Sequence, residues 1–421
     1  MAKKHLIIGC GSAGLAALEK IRSITPEDEI KVASREPYLP YSPTSLPYLL
    51  ADKIKESDIW IKDTDYFRRQ AATFLPGKEV VQLLPDEKQV IYSDGDTDSY
   101  DTLLIASGSE PAKPPIPGID DVGFLGFHTL EDYYHLLPLL EGKRSVTILG
   151  AGLIGMEIAA ALAERGCQVR VIEMESRVLP LYFDEEPSSY IKSIFAGRGI
   201  EILTGKRVAE LNAANGKTNV ICADGDTFAT DILLTCTGVR ARATFTQGCG
   251  IKLNQGVVVD RRMRTNQEGV YAAGDVAEAI DFFSGQYGIN GIIPSAVEQG
   301  KVAGANMAGE ETEYRGWVSM NVFNFFGNIA SSIGLSMVSG EDKEVLERWD
   351  EHCFQRLVFQ DSHLIGAMFL NIEVDPGVIR YLIENRIDVG NYRQLLLQKV
   401  RETSLWLMLE TERKQARLVE G

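Results

Sequence analysis

Two stretches of the chain follow the same order of apolar and small residues. His5-Leu6-Ile7-Ile8 is a short apolar run that ends in Gly9-Cys10-Gly11-Ser12-Ala13-Gly14, and a helical pattern follows to about Arg22. Ser145-Val146-Thr147-Ile148-Leu149 leads in the same way into Gly150-Ala151-Gly152-Leu153-Ile154-Gly155, then a helical pattern from Met156 to Arg165. Each stretch predicts a buried strand, a glycine turn and a helix. With Gly9 and Gly150 141 positions apart, this is a duplication of architecture rather than a short-period repeat.

A second pattern is also doubled. Asp101-Thr102-Leu103-Leu104-Ile105-Ala106-Ser107-Gly108 and Asp231-Ile232-Leu233-Leu234-Thr235-Cys236-Thr237-Gly238 each read as an aspartate, an apolar strand, a small residue and a glycine. Each is placed to close the fold begun by the glycine motif upstream. The proline-rich stretch from Pro111 to Pro117 marks a crossing between domains. From about Tyr314 the pattern changes to strand-like runs, Gln355 to Phe359 and Leu364 to Leu370, followed by a helix from Asn391 to Arg413. The expected fold class is α/β: two Rossmann-like three-layer domains and a small C-terminal α+β domain. The expected boundaries are 1–112 with 242–315, then 113–241, then 316–421.

In Gly-x-Gly-x-x-Gly the first glycine permits a tight turn and the second lets the backbone approach a pyrophosphate. The third lets helix pack on strand, and the helix N-terminus offers free N–H groups to the phosphates. An acidic residue about 20 positions on is expected to hold the adenosine ribose. After the second motif Val169-Arg170-Val171-Ile172 ends in Glu173, a carboxylate that accepts from ribose hydroxyls and repels the extra phosphate of NADP. After the first motif the strand ends in Ser34, with Glu36 two residues later. A further strand from Val270 ends in Gly274-Asp275.

The net charge of −16 opposes nucleic-acid binding, which needs a basic surface. The cluster Arg261-Arg262-Met263-Arg264 reads as a solvated turn or as a dock for an acidic protein. No stretch approaches the roughly 18 apolar residues that span a bilayer, and the N-terminal apolar run is too short for a signal peptide. No membrane association and a cytoplasmic location are expected. The six cysteines, at 10, 167, 222, 236, 249 and 353, lack the close spacing of a zinc site, an iron–sulfur cluster or a redox dithiol.

Over residues 1–315 these landmarks, in this order, resemble the FAD-dependent pyridine nucleotide–disulfide reductase superfamily. The resemblance implies that FAD lies on Gly9, Gly11, Ser12, Ala13, Gly14, Glu36, Val80, Ser107, Gly108 and Asp275, the last on the ribityl chain. It implies NAD on Gly150, Gly152, Leu153, Ile154, Gly155, Glu173 and Gly238, with Glu157 near the nicotinamide. It points to no protein general acid or base, and no metal ligand is expected.

The segment Tyr41-Ser42-Pro43-Thr44-Ser45-Leu46-Pro47-Tyr48 is similar to the flavin-facing loop of coenzyme A-disulfide reductases and related NADH oxidases. There a redox cysteine stands where this chain has Thr44, and a hydroxyl cannot shuttle electrons as a thiolate does. The histidine-containing C-terminal dimer motif of glutathione-reductase-like enzymes is not visible. Asn321-Val322-Phe323, Gly327, Ser332-Ile333-Gly334, Leu364-Ile365-Gly366-Ala367 and Leu382-Ile383 resemble the C-terminal domain of rubredoxin and nitrite reductases.

The whole chain is similar to the FAD-containing, NAD-reactive subunits of multisubunit 2-oxoacid oxidoreductases. Their other subunits hold iron–sulfur clusters and thiamine diphosphate. Three roles follow: an electron-transfer subunit, a stand-alone NADH-dependent rubredoxin or ferredoxin reductase, or a flavoprotein used mainly for interaction. In the tail helix Leu395, Leu396, Leu397, Val400, Leu405, Trp406, Leu407 and Leu409 make a broad apolar surface. It either packs on the C-terminal domain or anchors the chain to an iron–sulfur partner.

Overall fold

The structure is a computed structural model describing residues 2–142 and 144–420, with side chains as far as Arg417. The chain forms two compact units. The first comprises Met1–Ser45, Lys55–Ala112 and Val239–Trp317, and the second Leu46–Ile54, Lys113–Gly238 and Val318–Gly421.

In the first unit β1 (Lys4–Ile8) leads into α1 (Ser12–Ile24), then β2 (Glu29–Ser34), β3 (Ala72–Pro76) and β4 (Thr102–Ile105). The sheet order is Val270–Ala272, β4, β1, β2, β3, and all neighbours run parallel. Ile7 of β1 stands between Val32 and Leu104. Both faces of such a sheet are covered, so its strands carry continuous apolar runs rather than alternation. His5 to Ile8 and all of β4 are buried accordingly. The buried His5 bridges Thr102 Oγ1 at 2.7 Å and Asp28 Oδ2 at 3.0 Å, tying β1 to β4 and to the turn before β2.

The helix Ile293–Met307 crosses α1 at backbone contact. A Cβ at Gly300 would lie 2.2 Å from Ala13 O, and one at Gly304 2.6 Å from Ala17 O. Only glycine admits that approach, so this crossing fixes how α1 is held.

The second unit repeats the plan with β5 (Ser145–Leu149), α2 (Leu153–Glu164), β6 (Gln168–Ile172), β7 (Glu201–Leu203) and β8 (Ile232–Thr235). Its parallel sheet has the order β7, β6, β5, β8, with Ile148 between Val171 and Leu234. The duplication extends to a three-stranded antiparallel excursion in each unit, Val80–Leu84 to Thr97–Ser99 and Val208–Ala214 to Thr227–Thr230. Both use the tetrapeptide Asp-Gly-Asp-Thr, at 94–97 and 224–227. Gly95 and Gly225 take φ of +88° and +95° in the turn. A lysine, Lys78 or Lys206, bridges the two aspartates of its own copy.

The C-terminal segment adds an antiparallel sheet of β9 (Met320–Phe325), β10 (Asn328–Gly334), β11 (Lys343–Asp350), β12 (Cys353–Gln360) and β13 (His363–Leu370). Its order is β9, β10, β13, β12, β11. Helix α3 (Pro376–Glu384) is capped by Asp375, which accepts from the N–H groups of Gly377 and Val378, and it covers β10 and β13. Phe195, from the helix Glu185–Ala196, stacks with Phe323 and Phe325 at 6.1 and 5.7 Å between ring centroids. Trp349 Nε1 donates to Glu186 Oε2 at 2.6 Å, and Arg356 pairs with Asp184. These contacts make the segment part of the second unit.

The tail differs from the single helix expected between Asn391 and Arg413. A helix Arg393–Gln398 stops at Lys399, whose φ of −141° and ψ of 62° are not helical, and α4 (Val400–Glu420) begins afresh. The cause is a tertiary hydrogen bond. Buried Gln355 donates Nε2 to Leu396 O at 3.2 Å, claiming the carbonyl that would accept from Val400 N–H in a continuous helix. No helix among the described residues is long and apolar enough to cross a membrane.

Candidate functional site

In the first unit the three glycines of the turn meet three different demands. Gly9 has a φ of +107°, and a Cβ there would stand 2.1 Å from Ala106 O. A Cβ at Gly14 would come within 2.0 Å of Gly9 O, so the helix is seated against the turn itself. Gly11 has nothing within 4 Å of the added Cβ. Its conformation (φ −74°, ψ −171°) suits other residues, so the protein alone does not require glycine there. A glycine in open space beside a helix start fits the close approach of a pyrophosphate. Helix α1 begins with no side-chain cap and no acidic residue in its first turn, leaving its N–H groups for an outside acceptor.

The other residues expected to hold FAD gather mainly at the carboxyl ends of the same strands. Ser107 Oγ donates to Arg242 O at 2.6 Å, and Arg242 N–H donates back to Gly108 O at 2.9 Å. Gly108 takes a φ of +70° with open space beside it. Ser109 Oγ donates to Asp275 Oδ2 at 3.0 Å, and Gly274 N–H donates to buried Gln299 Oε1 at 2.8 Å. Gly274 also faces the Cβ of Ala13, so the Gly-Asp turn abuts the start of α1. Tyr41 donates its hydroxyl to both Glu36 oxygens, at 3.0 and 3.2 Å, holding that carboxylate half-buried. Val80 turns its side chain into the core, which leaves only its backbone for a ligand. Ser12 stands at the first position of the helix.

The second unit reproduces the turn. Gly150 has a φ of +102° and a Cβ there would lie 2.4 Å from Cys236 O; one at Gly155 would lie 2.1 Å from Gly150 O. Gly152 again faces open space, with φ −74° and ψ −178°. Helix α2 begins at Leu153 and Ile154 without a side-chain cap or a first-turn acid. Gly238 is exposed with a φ of +112° and nothing beside it.

Glu173 is 7% exposed at the end of β6. Its Oε2 accepts from Ala151 N–H at 2.6 Å and its Oε1 from Glu175 N–H at 2.8 Å. A carboxylate has about four acceptor sites, so two remain for ribose hydroxyls. The two most exposed large apolar side chains among the described residues, Met174 at 66% and Leu181 at 77%, belong to the loop that follows.

Glu157 is not a first-turn acid. It is the fifth residue of α2, and burial alone pushes its carboxyl up to about 7.

The sequence missed three parts of this arrangement: Arg242 as the clasp on Ser107 and Gly108, the glycine-bearing helix 293–307, and the exposed pair Met174 and Leu181. The glycine spacing of Gly300 and Gly304 was a readable signal; the other two exist only in the folded chain. Arg262 and Arg264 pair with Glu311 and Asp260 while Arg261 donates to Tyr314 O, so two of the three charges of the basic cluster are neutralised locally.

The family model for pyridine nucleotide-disulphide oxidoreductases matches residues 3–300. The chain is 37% identical to the NADH-dependent phenylglyoxylate dehydrogenase subunit epsilon of Aromatoleum evansii, over 93% of both chains. It is 30% identical to rhodocoxin reductase of Rhodococcus erythropolis, over 90% of this chain and 88% of that one. The fold superposes on the water-forming NADH oxidase of Lactobacillus brevis with a TM-score of 0.85, at 24% identity, covering 100% of this chain and 99% of that one.

The glycine geometry separates binding from folding. Gly152→Ala should change unfolding free energy by no more than about 1 kcal/mol yet weaken NADH binding by roughly tenfold or more, about 1.4 kcal/mol. Gly155→Ala should cost about 1–3 kcal/mol of stability through overpacking. Denaturant unfolding beside NADH titration of each variant reads the two effects, and equal binding by wild type and Gly152→Ala would contradict the assignment.

A pH dependence follows from Glu157. Below the usual carboxylate range the group is protonated whether folded or unfolded, so Glu157→Gln should be neutral. As pH rises to about 7 the unfolded chain loses the proton that the folded chain keeps, and wild-type stability falls. Glu157→Gln should therefore gain on wild type through that window, by up to about 3 kcal/mol, and level off above it. Urea midpoints at pH 5 and pH 8 measure the difference, and an identical gap at both would refute it.

Proposed function

The chain belongs to the pyridine nucleotide–disulphide oxidoreductase family and is an FAD-dependent NAD(H) oxidoreductase, and we propose that it serves as the electron-transfer subunit of a multisubunit 2-oxoacid oxidoreductase of the phenylglyoxylate type. In this reading iron–sulfur subunits deliver electrons to it, a thiamine diphosphate subunit oxidises the 2-oxoacid, and NAD⁺ is the final acceptor. The observation that carries it is the end-to-end similarity to a subunit of such a dehydrogenase, at 37% identity over 93% of each chain.

FAD, when bound, supplies exchange of electron pairs with a nicotinamide and of single electrons with a metal cluster. We assign it to residues 1–112 and 242–315, with Gly9, Gly11, Ser12, Ala13 and Gly14 at its pyrophosphate. Glu36, Val80, Ser107 and Gly108 line its remaining length, and Asp275, oriented by Ser109, takes the ribityl hydroxyls. We assign NAD(H) to residues 113–241. The N–H groups at Gly152, Leu153 and Ile154 receive its phosphates, Gly150 and Gly155 shape the turn, and Gly238 leaves room at the neighbouring strand end. Glu173, already anchored to the turn, selects against the NADP phosphate. Glu157, its carboxyl pushed up to about 7 by burial, lies on the helix that carries this site.

Thiol chemistry has no support in the site. Thr44 is exposed, with its hydroxyl on Ser42 Oγ at 3.0 Å, where relatives with a redox cysteine would carry the thiol. All six cysteines are free; burial raises the Cys10 thiol and pushes Cys236 up to about 12. A second reading, a stand-alone NADH-dependent rubredoxin or ferredoxin reductase, is favoured by the 30% identity to rhodocoxin reductase.

NADH titration of the purified protein should bleach the flavin in one two-electron phase without a thiolate-to-flavin charge-transfer band, and alkylating the cysteines should leave NADH:dye activity nearly intact. A charge-transfer band, or inactivation by alkylation, would restore a disulfide mechanism.

Native purification from the source organism distinguishes the two roles. The electron-transfer reading expects the chain at high mass with iron–sulfur and thiamine diphosphate subunits, and 2-oxoacid-dependent NAD⁺ reduction by that assembly. A chain recovered alone that reduces a rubredoxin or ferredoxin with NADH would establish the second role instead.

A further inference from the structure

Arg242 is tied to the end of β4 through its main chain. Its N–H donates to Gly108 O at 2.9 Å, and its carbonyl accepts from Ser107 Oγ at 2.6 Å. The side chain takes no part in that tie. It is 19% exposed, and its Nε reaches Glu110 Oε2 at 3.3 Å. The same carboxylate has a closer partner in Arg240, at 2.8 Å on Oε1. Among the described residues Nη1 and Nη2 of Arg242 donate no hydrogen bond. Burial lowers the guanidinium from its ordinary value, and so does the charge of Arg35, while Glu110 and Glu36 act the other way.

Arg35 and Glu36 follow β2, whereas Ser107 and Gly108 follow β4. The sheet order β4, β1, β2 sets the end of β1, with its glycine turn, between these two places. A cation anchored at the end of β4 and acted on by groups just past β2 therefore overhangs the turn from Gly9 to Gly14. We propose that Arg242 binds the pyrophosphate of FAD there, with Arg35 adding a second positive charge to the same rim. This rests on the assignment of FAD to the first unit. A guanidinium offers paired N–H donors that match two phosphate oxygens, and a pyrophosphate supplies the acceptors that Nη1 and Nη2 lack. A mostly buried cation with unspent donors is costly until such an acceptor arrives.

The test uses the full-length, FAD-loaded protein and two readouts. One is the rate of FAD release, followed by recovery of free-flavin fluorescence on dilution. The other is the phosphorus NMR spectrum of the bound pyrophosphate. Arg242→Gln keeps both main-chain bonds, and it should release FAD roughly tenfold faster or more and shift a pyrophosphate resonance. Arg242→Lys, which keeps the charge and loses the paired donors, should fall between that variant and wild type. Glu110→Gln should release FAD no faster than wild type, and Gly11→Ala should disturb both readouts through the turn itself. Wild-type release with unshifted resonances in Arg242→Gln overturns the proposal, as does the same result in Arg242→Lys if the glutamine variant does not fold. So does a Glu110→Gln that matches Arg242→Gln, because the arginine would then act only through that carboxylate. A Gly11→Ala without effect on either readout would instead remove FAD from this turn, and the proposal would fall with that assignment.

Discussion

The contact on which the rest of this protein depends is the seat of a glycine against a carbonyl oxygen. At Gly9 and Gly150 the backbone lies so close to the carbonyl of the neighbouring strand end that a Cβ would stand 2.1 and 2.4 Å from it. Each turn is locked a second time, because the glycine that begins to pack the helix lies on the first glycine's carbonyl. The strand end, the turn and the helix start are thereby one rigid object. Its rigidity aims the uncapped N–H groups of α1 and α2 outward from the carboxyl edge of each sheet, where an anion gains most from them.

Around that object the two copies diverge in their charges, and the divergence suits different dinucleotides. In the second unit Glu173 follows its strand and folds back onto the turn, so this carboxylate and the backbone of the glycine turn are held as one. In the first unit the corresponding strand ends in Ser34, and the carboxylate is displaced to Glu36 and held by Tyr41. The first unit also has a clasp without a counterpart in the sequence reading: Arg242 exchanges hydrogen bonds with Ser107 and Gly108, tying the segment that returns after Gly238 to the strand end laid down before the crossing. A discontinuous nucleotide fold needs such a tie, because its closing strand arrives more than a hundred residues late.

Burial shapes the chemistry as much as charge does. Glu157 gains no partner among the described residues, and its environment resists a negative charge. The cysteines are likewise kept as thiols where burial governs them, as at Cys10 and Cys236. What is left for redox work is a bound carrier, FAD, rather than a reactive side chain.

The sequence by itself determined the class of fold, both glycine turns, their strands and helices, and the residues that close each nucleotide fold. These follow from local rules: a turn that only glycine can make, continuous apolar runs in strands covered on both faces, and an acidic residue at a strand end. It also carried the duplicated Asp-Gly-Asp-Thr hairpin and the Gly300, Gly304 pair in plain view, although their meaning is clear only beside Lys78, Lys206 and α1. Only the tertiary structure decided the rest. The break at Lys399 is invisible in a helical pattern, because Gln355, forty-one residues away from Leu396, takes the carbonyl that the helix would need. The pairing of Arg242 with Ser107 spans 135 residues, and the two oxygens of Glu173 find backbone donors that no spacing rule names. Local sequence encodes conformations that a few neighbouring residues impose; which distant group takes a given carbonyl or carboxylate depends on the folded chain bringing them together.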